Sequence, residues 1–255
     1  MSMITPINLR GSVVVVTGAS RGLGAAFAGV LATAGAAVAI CARDKSGLDS
    51  VCKMISGKGG TCYAAVADVT NSADVNSFVA AVAKKFGRVD VLINNAGAVH
   101  PKKNAEEITD EEYSSCMRTN VDGVFYFARA VLPIMRKQGS GAIVNISSGA
   151  GTRAHGGLSI YSMSKFAVEG LTQAVARELE GTPIMCIALC PGGINTGMRA
   201  ALFGKEDAEK QQSPQAVAEI LRDILSGKVA VPNGADVRIR GGAVTGIDDV
   251  LHTAL

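Results

Sequence analysis

Short apolar runs alternate with segments of helical period along most of the chain. Strands are predicted at residues 12–17, 37–42, 62–67, 89–93, 142–147, 184–190 and 235–240. Between them, apolar side chains recur on one helical stripe, as in Val75, Phe78, Val79, Val82 and Phe86, which is the spacing of a core-facing helix. Strands that alternate with helices are typical of a parallel sheet covered on both faces. The pattern therefore predicts an α/β fold with a doubly wound, seven-stranded parallel sheet and six helices.

The chain of 255 residues contains no linker and no internal repeat, and its length suits one α/β domain. A single domain over residues 1–255 is therefore expected. Two helix starts support the boundaries, because Thr109 with Glu112 forms a capping box and Ser213 precedes a proline. The exception is the segment at about 197–212, which mixes charged residues with a few large apolar ones. We expect this segment to be an irregular, mobile flap.

The composition and charge of the chain argue against several classes of protein. The chain is 48% hydrophobic, but no apolar run approaches the roughly 20 residues of a membrane-spanning helix. The N-terminal stretch MSMITPINLRG has neither the basic start nor the apolar run of a secretion signal. A net charge of +3 without a basic cluster gives no indication of nucleic-acid binding. We expect a cytoplasmic protein with no membrane and no nucleic-acid partner.

The six cysteines are scattered through apolar sequence, and a chain of this length does not need disulfides to fold. All six are therefore predicted to be reduced. Cys186 and Cys190 form a CxxxC pair, but this even spacing in a predicted strand places both on one face as small core residues. The three histidines show no ligand spacing either. No metal site is expected.

The first strand runs into a glycine-rich loop, TGASRGLG, which is followed by a helix of small residues. Gly18 permits a tight turn, Gly22 lets the backbone approach a phosphate, and Gly24 allows the helix to pack closely on the strand. The N-terminus of that helix then faces the anion. Strand, glycine loop and helix in this order predict a dinucleotide site in a Rossmann-type fold.

The end of the second strand, AVAICARDK, bears on which dinucleotide binds. Enzymes that prefer NAD usually place an acid there for the ribose 2′-hydroxyl, whereas those that prefer NADP use arginine. Ala42 occupies the position expected for the acid, Arg43 follows it, and Arg21 adds a second cation from the glycine loop. These residues predict NADP(H). Asp44 leaves NAD(H) open, because a shift of one residue would bring its carboxylate to the ribose.

Five further motifs complete the pattern, namely DVLINNAG at 90–97, RTNVDG at 118–123, IVNISSG at 143–149, YSMSK at 161–165 and PGGINT at 191–196. Together with the glycine loop, their order and spacing resemble the short-chain dehydrogenase/reductase family over about residues 10–196. The resemblance implies an enzyme that interconverts a ketone or aldehyde and an alcohol by hydride transfer. It thins after Thr196, because only about 17 residues separate Thr196 from Pro214, where β-ketoacyl-acyl-carrier-protein reductases carry a longer substrate segment.

The resemblance assigns four catalytic residues. Tyr161 would be the general acid that protonates the carbonyl oxygen, or the base in the reverse direction. Lys165 lies one helical turn along on the same face, and its charge is expected to lower the pKa of Tyr161 toward neutrality. Ser148, 13 residues before Tyr161, would hydrogen-bond the substrate oxygen, while its neighbour Ser147 would point to the other face of the strand. The main chain of Asn120 would hold a water that links Lys165 to solvent.

The resemblance also assigns the cofactor contacts. Asp68, which ends the third strand, would contact the adenine, and Thr196 would hold the nicotinamide carboxamide. The full set of predicted contacts is Gly18, Ser20, Arg21, Gly22, Leu23, Gly24, Arg43, Asp68, Val69, Asn94, Ala96, Gly97, Tyr161, Lys165, Pro191, Gly192, Ile194 and Thr196.

We therefore expect an NADP(H)-dependent oxidoreductase of a small-molecule carbonyl or alcohol, and the family implies a homodimer or homotetramer. Two alternatives stay open. A reductase of β-ketoacyl thioesters on an acyl carrier protein would need a basic docking patch, for which the candidates are Lys102, Lys103, Arg136 and Lys137. A non-catalytic dinucleotide sensor would typically lack a catalytic residue, whereas all four are present here.

Overall fold

A computed structural model describes residues 3, 5–249 and 251. Within them, one sheet is formed by β1 Val13–Thr17, β2 Ala37–Ala42, β3 Cys62–Val66, β4 Val91–Asn94, β5 Gly141–Ile146, β6 Ile184–Pro191, β7 Asp236–Arg240 and β8 Ala243–Asp248. The strand order is β3-β2-β1-β4-β5-β6-β7-β8. Neighbouring strands are parallel except β8, which is antiparallel to β7. The predicted parallel, doubly wound α/β sheet is confirmed, with eight strands in place of seven.

The additional strand is β8, which the hydrophobic pattern did not indicate. Gly241 and Gly242 both adopt positive φ, at 58° and 76°, and turn the chain back onto β7. The returning strand, AVTGID, is exposed or half-buried along its whole length and carries a glycine. An edge strand of this kind lacks the buried apolar run by which the inner strands were recognised.

The helices cover both faces of the sheet. Their bounds are α1 Gly22–Thr33, α2 Lys45–Ser56, α3 Ser72–Phe86, α4 Asp110–Met117, α5 Gly123–Gln138, α6 Gly149–Thr152, α7 Ser159–Glu178, α8 Gly197–Phe203, α9 Lys205–Glu209 and α10 Pro214–Leu225. A 3₁₀ turn, Ala105–Glu107, precedes α4, and a π-helical turn, Arg118–Asp122, joins α4 to α5. No helix in this described part of the chain is long and apolar enough to cross a bilayer.

Both predicted helix starts are present. The Thr109 hydroxyl accepts from the Glu112 amide while the Glu112 carboxylate accepts from the Thr109 amide, which is the expected capping box. The Ser213 hydroxyl accepts from the Ala216 amide at 3.1 Å at the start of α10. Local capping chemistry therefore fixed these two boundaries in the sequence.

The two faces of the sheet carry separate hydrophobic clusters. Along β1, Val14 and Val16 point to the face covered by α1, α2 and α10, whereas Val13 and Val15 point to the face covered by α3, α5 and α7. Because both faces are buried, the inner strands read as continuous apolar runs. Parallel strands also bring the loops after β1, β4, β5 and β6 to one edge of the sheet, where ligand sites form in such folds.

The segment 197–212 differs from its prediction. It contains two short helices, α8 and α9, rather than irregular chain. Arg199 of α8 pairs with Asp207 of α9 through Nε to Oδ1 at 2.5 Å and Nη2 to Oδ2 at 3.1 Å. This bidentate pair links the two helices across a glycine turn, and a pairing of charges eight residues apart is not visible in hydrophobic periodicity. Mobility of the segment stays a prediction.

The cysteine prediction is wrong for one pair. Cys52 of α2 and Cys62 of β3 form a disulfide, with their Cα atoms 5.4 Å apart. Helix α2 runs back along the sheet so that β3 starts close to its end, and this return brings together two cysteines that are ten residues apart in sequence. Cys41, Cys116, Cys186 and Cys190 are free and buried, as expected for small core residues.

Candidate active site

The glycine loop after β1 lies against the end of β4. Gly18 has φ +64°, and a Cβ there would lie 2.7 Å from the Ala96 Cα. A Cβ on Gly24 would lie 2.5 Å from the Gly18 carbonyl oxygen. Both positions therefore exclude a side chain, and at Gly24 the close neighbours are the glycine loop and Asn95 rather than the strand named in the prediction. Helix α1 begins at Gly22, and the side chain of its N-cap, Arg21, makes no capping hydrogen bond. The first-turn amides therefore face outward as anion donors.

Asn95 holds this loop in place, a role that the motif analysis missed. Its Nδ2 donates to the carbonyl oxygens of Thr17 at 2.8 Å and Gly18 at 3.2 Å. The Thr17 hydroxyl in turn accepts from the amides of Asn95 and Ala96, both at 2.9 Å. The predicted cofactor residue Asn94 instead turns its side chain into the core, where Nδ2 donates to Asn145 Oδ1 at 2.9 Å. The signal for Asn95 was the second asparagine of NNAG.

Four charged residues lie near one another in the loops after β1, β2 and β3, namely Arg21, Arg43, Asp44 and Asp68. Asp44 caps α2, accepting from the Gly47 amide at 3.1 Å and the Ser46 hydroxyl at 2.9 Å, and these bonds, with a smaller contribution from Arg21, lower its pKa. Asp68 accepts from the amide and hydroxyl of Thr70, both at 2.9 Å. Partial burial opposes ionisation of Asp68, but the Thr70 bonds and then Arg43 outweigh it and lower its pKa. Both acids are therefore engaged within the protein.

Helix α7 presents Tyr161 and Lys165 one turn apart. The Lys165 ammonium lies 5.7 Å from the centroid of the Tyr161 ring and donates to the Ile146 carbonyl oxygen at 2.7 Å. The Ser148 side chain, at the start of α6, lies beside the Tyr161 phenol and accepts from the Ala150 amide at 3.1 Å. Ser147 is buried and directs its hydroxyl toward the Lys165 carbonyl oxygen at 3.5 Å. The fold thus brings Ser148, Tyr161 and Lys165 together and turns Ser147 away.

The expected effect of Lys165 on Tyr161 is not found. Burial raises the pKa of Tyr161 above its ordinary value, and the hydrogen bond with Ser148 offsets this only in part. Burial also lowers the pKa of Lys165 to about 8. Spacing alone suggested a close ammonium that favours the phenolate, but the ammonium is held at the Ile146 carbonyl, and desolvation of the phenolate dominates. Tyr161 is therefore a neutral phenol at physiological pH.

Asn120 lies in the π-helical turn between α4 and α5 and is completely buried. Its Oδ1 accepts from the Ala98 amide at 2.8 Å, and its Nδ2 donates to the Ala98 carbonyl oxygen at 2.9 Å. Nδ2 also donates to the Ser164 hydroxyl at 2.9 Å, which donates to the Tyr161 carbonyl oxygen at 2.7 Å. The side chain therefore ties the loop after β4 to α7, and π turns of this kind recur at functional sites.

Two further predicted segments face this group. A Cβ on Gly97 would lie 3.5 Å from Asn120 Oδ1 and 4.0 Å from Lys165 Nζ. A Cβ on Gly22 would lie 3.7 Å from Thr196 Cγ2, so the glycine loop and the PGGINT segment approach each other. Thr196 caps α8, accepting from the Arg199 amide at 3.3 Å. Gly97 therefore lies beside Asn120 and Lys165, and the glycine loop lies beside Thr196.

A family model for short chain dehydrogenase matches residues 12–207 of the chain. The chain belongs to the short-chain dehydrogenase family. It is 32% identical to a 3-oxoacyl-(acyl-carrier-protein) reductase of Vibrio cholerae, over 92% of this chain and 98% of that protein. It is 33% identical to an NADPH-dependent pterin aldehyde reductase of Arabidopsis thaliana, over 94% of this chain and 100% of that protein. The crystal structure of a levodione reductase superposes with a TM-score of 0.86 at 32% identity, covering 91% of this chain and 97% of that one.

Behind the lysine of this short-chain dehydrogenase lies a buried cluster of Glu169, Cys190 and Asp236, which the sequence did not reveal. Their ligand atoms lie within 4.8 Å of one another, and the Cys190 thiol donates to Glu169 Oε1 at 3.2 Å. Glu169 Oε2 and Asp236 Oδ1 have no other hydrogen-bond partner among the described residues. Burial raises the pKa of the Cys190 thiol, which opposes metal binding by thiolate. Because two buried carboxylates this close repel each other, the cluster favours one proton held between the two carboxyl groups.

Replacing Asp236 with asparagine should stabilise the protein at alkaline pH. Burial, reinforced by Glu169, raises the pKa of Asp236, so above about pH 4 the folded state binds more protons than the unfolded chain. The free energy of unfolding then falls as pH rises. The asparagine amide would keep a donor toward Glu169 without this cost, and we expect a gain of about 2 kcal/mol at pH 8 and a smaller one at pH 5.

Urea unfolding at both pH values measures this difference. Asp49→Asn is the matched control, because Asp49 is an exposed acid on α2 that pairs with Lys45 at 2.6 Å and does not belong to the cluster. Its substitution should leave the pH dependence of the wild-type protein in place. An Asp236→Asn protein that loses the same stability at pH 5 and pH 8 would contradict the shared proton.

Proposed function

We propose that this protein reduces a ketone or aldehyde to an alcohol with a nicotinamide dinucleotide. The observation that carries the proposal is that the fold brings Ser148 beside the Tyr161 phenol, with the Lys165 ammonium 5.7 Å from the Tyr161 ring, next to the glycine loop and Gly97. The outward amides of α1 fit a pyrophosphate, and the space beside Gly97 fits a flat ring. When bound, the cofactor supplies a hydride to the carbonyl carbon.

The side chains of Ser148 and Tyr161 hold the carbonyl oxygen between them. As negative charge develops on that oxygen, Tyr161 donates its proton, and the Ser148 hydroxyl stabilises the charge by a hydrogen bond. The raised pKa keeps Tyr161 protonated at neutral pH, which favours reduction. Alcohol oxidation needs the phenolate and therefore a higher pH. The Lys165 charge stabilises the phenolate that is left after transfer, and the Asn120 side chain holds the loop after β4 beside this group through Ala98.

The residues at the end of β2 support NADP(H) as the cofactor. Arg43 and Arg21 are exposed beside the end of β2, where Ala42 stands in place of an acid. Asp44 is the residue that left NAD(H) open, and its carboxylate caps α2 by accepting from Ser46 and Gly47. The name of the Arabidopsis relative records NADPH dependence for that protein. A ribose 2′-phosphate between the two arginines would gain charge-assisted hydrogen bonds.

Replacing Arg43 with alanine should weaken NADPH binding about 10- to 100-fold, since a charge-assisted contact to phosphate is worth about 1.5–3 kcal/mol. NADH binding should change less than about twofold, because NADH lacks that phosphate. Fluorescence titration of both cofactors measures this. Arg10→Ala is the control, since Arg10 is an equally exposed cation before the start of β1, at the opposite edge of the sheet. A wild-type preference for NADH would refute NADP(H) as the cofactor.

The candidate docking patch for an acyl carrier protein is not assembled. Lys103 is paired with Glu112 at 2.6 Å near the active-site edge. Arg136 and Lys137 lie in the last turn of the 16-residue helix α5, about 20 Å from its active-site end. The four predicted residues therefore occupy opposite edges of the sheet. We propose a small-molecule carbonyl as the substrate, although the Vibrio relative is named for a carrier-linked one. The assembled catalytic group supports an enzyme over a sensor.

Exposed apolar side chains on three neighbouring helices support a homodimer. They are Tyr113 of α4, Phe125 of α5, and Met163 and Phe166 of α7, each 43–47% exposed. Such clustering of large apolar groups is typical of a protein interface. We propose self-association through these helices, in the cytoplasm, and sedimentation equilibrium measures the stoichiometry.

A further inference from the structure

Arg240, the last residue of β7, lies beside the proposed catalytic serine. We propose that its guanidinium binds an oxyanion of the substrate, so that the reduced ketone or aldehyde carries a carboxylate or a phosphate. The inference rests on the proposed carbonyl reduction and adds the substrate class. No motif of the sequence pointed to this residue.

Two glycines of the site make room for the Arg240 side chain. A Cβ on Gly192, which follows Pro191, would lie 2.6 Å from the Arg240 Cδ. A Cβ on Gly149, which follows Ser148, would lie 2.6 Å from Arg240 Nη2. The aliphatic part of Arg240 therefore crosses the PGG segment, and its guanidinium ends against the residue next to Ser148. Any larger side chain at either glycine would displace it.

The guanidinium is fixed but retains donors. Its Nη1 donates to the carbonyl oxygens of Cys190 at 2.7 Å and Ile239 at 2.9 Å, which anchor the group to β6 and β7. Nε and Nη2 make no hydrogen bond to another residue among those the structure describes, and Nη2 is the atom directed toward Gly149. Arginine presents its donors in a planar fork, so an anchored guanidinium with free N–H groups is pre-organised for carboxylate or phosphate.

Arg240 also differs from neighbouring arginines in having no carboxylate partner among the described residues. Arg238, two residues earlier on β7, pairs with Asp248 at 3.0 Å, and Arg199 of α8 pairs with Asp207. Within residues 5–249, no carboxylate forms an ion pair with Arg240. An uncompensated cation beside the reacting group attracts an anion there.

The ribose phosphate of NADP(H) is not this anion. Arg43, the candidate for the ribose phosphate, lies at the end of β2, and β2 is separated from β7 by five steps in the strand order. At about 4.8 Å for each step, the two arginines are roughly 24 Å apart across the sheet. In the strand order, Ser148 after β5 lies between the glycine loop after β1 and Arg240 at the end of β7, so Arg240 is on the side of Ser148 away from that loop.

The test compares three carbonyl compounds on one carbon skeleton: a keto acid, its methyl ester and the corresponding keto phosphate. For the wild-type enzyme with NADPH, kcat/KM should be about 10- to 100-fold higher for at least one of the two anions than for the ester. Arg240→Gln should remove this preference by raising KM for that anion, while turnover of the ester stays within about twofold. Comparing kcat/KM for the keto acid with that for the keto phosphate shows which oxyanion is bound.

Two further variants separate recognition from structure. Arg240→Lys keeps the charge but not the fork, and it should recover part of the lost anion preference. Arg238→Gln removes an arginine from the same strand that already has a carboxylate partner, and it should behave as the wild type. The proposal is overturned if Arg240→Gln lowers kcat/KM equally for acid, phosphate and ester, or if the wild type prefers the ester.

Failure of the proposed reaction would be seen separately, as no turnover of any compound with NADPH or NADH. In that case, the binding of small anions tests the proposed role of Arg240 without any turnover. In calorimetric titrations with butyrate and inorganic phosphate, the wild type should bind one of the two at least about 10-fold more tightly than Arg240→Gln. Equal binding by the two proteins would overturn the anion site.

Discussion

Replacing Tyr161 with phenylalanine should lower kcat for carbonyl reduction by about 100- to 10,000-fold, the range lost with a general acid. The substitution removes one hydroxyl and keeps the ring beneath which Lys165 is held. Because burial raises the pKa of Tyr161, the wild-type group is protonated at pH 7 and ready to donate. The KM for the carbonyl should change less than kcat, since Ser148 still contacts the oxygen.

Steady-state kinetics with NADPH and a panel of carbonyl compounds measures this loss. Tyr63→Phe is the matched control, because Tyr63 lies in β3 and packs on Phe78 with their ring centroids 6.2 Å apart, remote from Ser148. Its kcat should equal that of the wild type. Full activity in Tyr161→Phe would exclude Tyr161 as the proton donor.

Replacing Lys165 with methionine should lower kcat/KM by about 100- to 1,000-fold, the loss typical of one preorganised electrostatic group. The pH dependence of kcat/KM in the wild type tests the same role of the Lys165 charge. Burial lowers the pKa of Lys165 to about 8, so the charged form is complete well below pH 8 and is lost as pH rises through it. We therefore expect kcat/KM for reduction to fall above about pH 8 in the wild type.

The variants should change that profile in different ways. Lys165→Met has no group that titrates there, so its low activity should not show the fall near pH 8. Lys165→Arg retains a charge that is not lost in this range, and any activity it keeps should persist to higher pH. A wild-type profile that is flat across pH 8, together with the same profile in Lys165→Met, would show that the charge of Lys165 does not act in catalysis.

Much of the site could be predicted from local sequence, because its residues occupy short motifs at the ends of strands. The glycine loop, NNAG, Ser148 and the Tyr161–Lys165 pair each follow or precede a recognisable apolar strand or helix. Parallel strands bring such positions to one edge whatever the exact strand lengths are. Strand β1 shows why, since its buried run Val13–Thr17 leads directly into the loop.

What could not be predicted depends on contacts between distant elements. Glu169 and Asp236 are 67 residues apart, and only the packing of α7 on β6 and β7 brings them together. Cys52 and Cys62 became a disulfide through the return of the chain from α2 to β3. Arg240 acquired its position from two glycines in other segments. None of these contacts produces a hydrophobic period or a motif spacing from which it could be predicted.

The sign of the Tyr161 pKa shift was the least predictable property. Spacing correctly placed an ammonium one turn away, but the balance depends on how far water is excluded from the phenol and on where the ammonium donates its protons. The structure places the Lys165 ammonium on the Ile146 carbonyl oxygen. The same spacing in a more exposed helix would favour the phenolate.

Deuterium transfer tests the central claim most directly. A nicotinamide cofactor labelled with deuterium at its transferable position is incubated with the wild type and a carbonyl substrate, and the alcohol is analysed by mass spectrometry and NMR. The account predicts one deuterium on the carbinol carbon in the wild type, formed at least about 100-fold more slowly by Tyr161→Phe. An alcohol without deuterium on that carbon, or one formed equally fast by Tyr161→Phe, would contradict it.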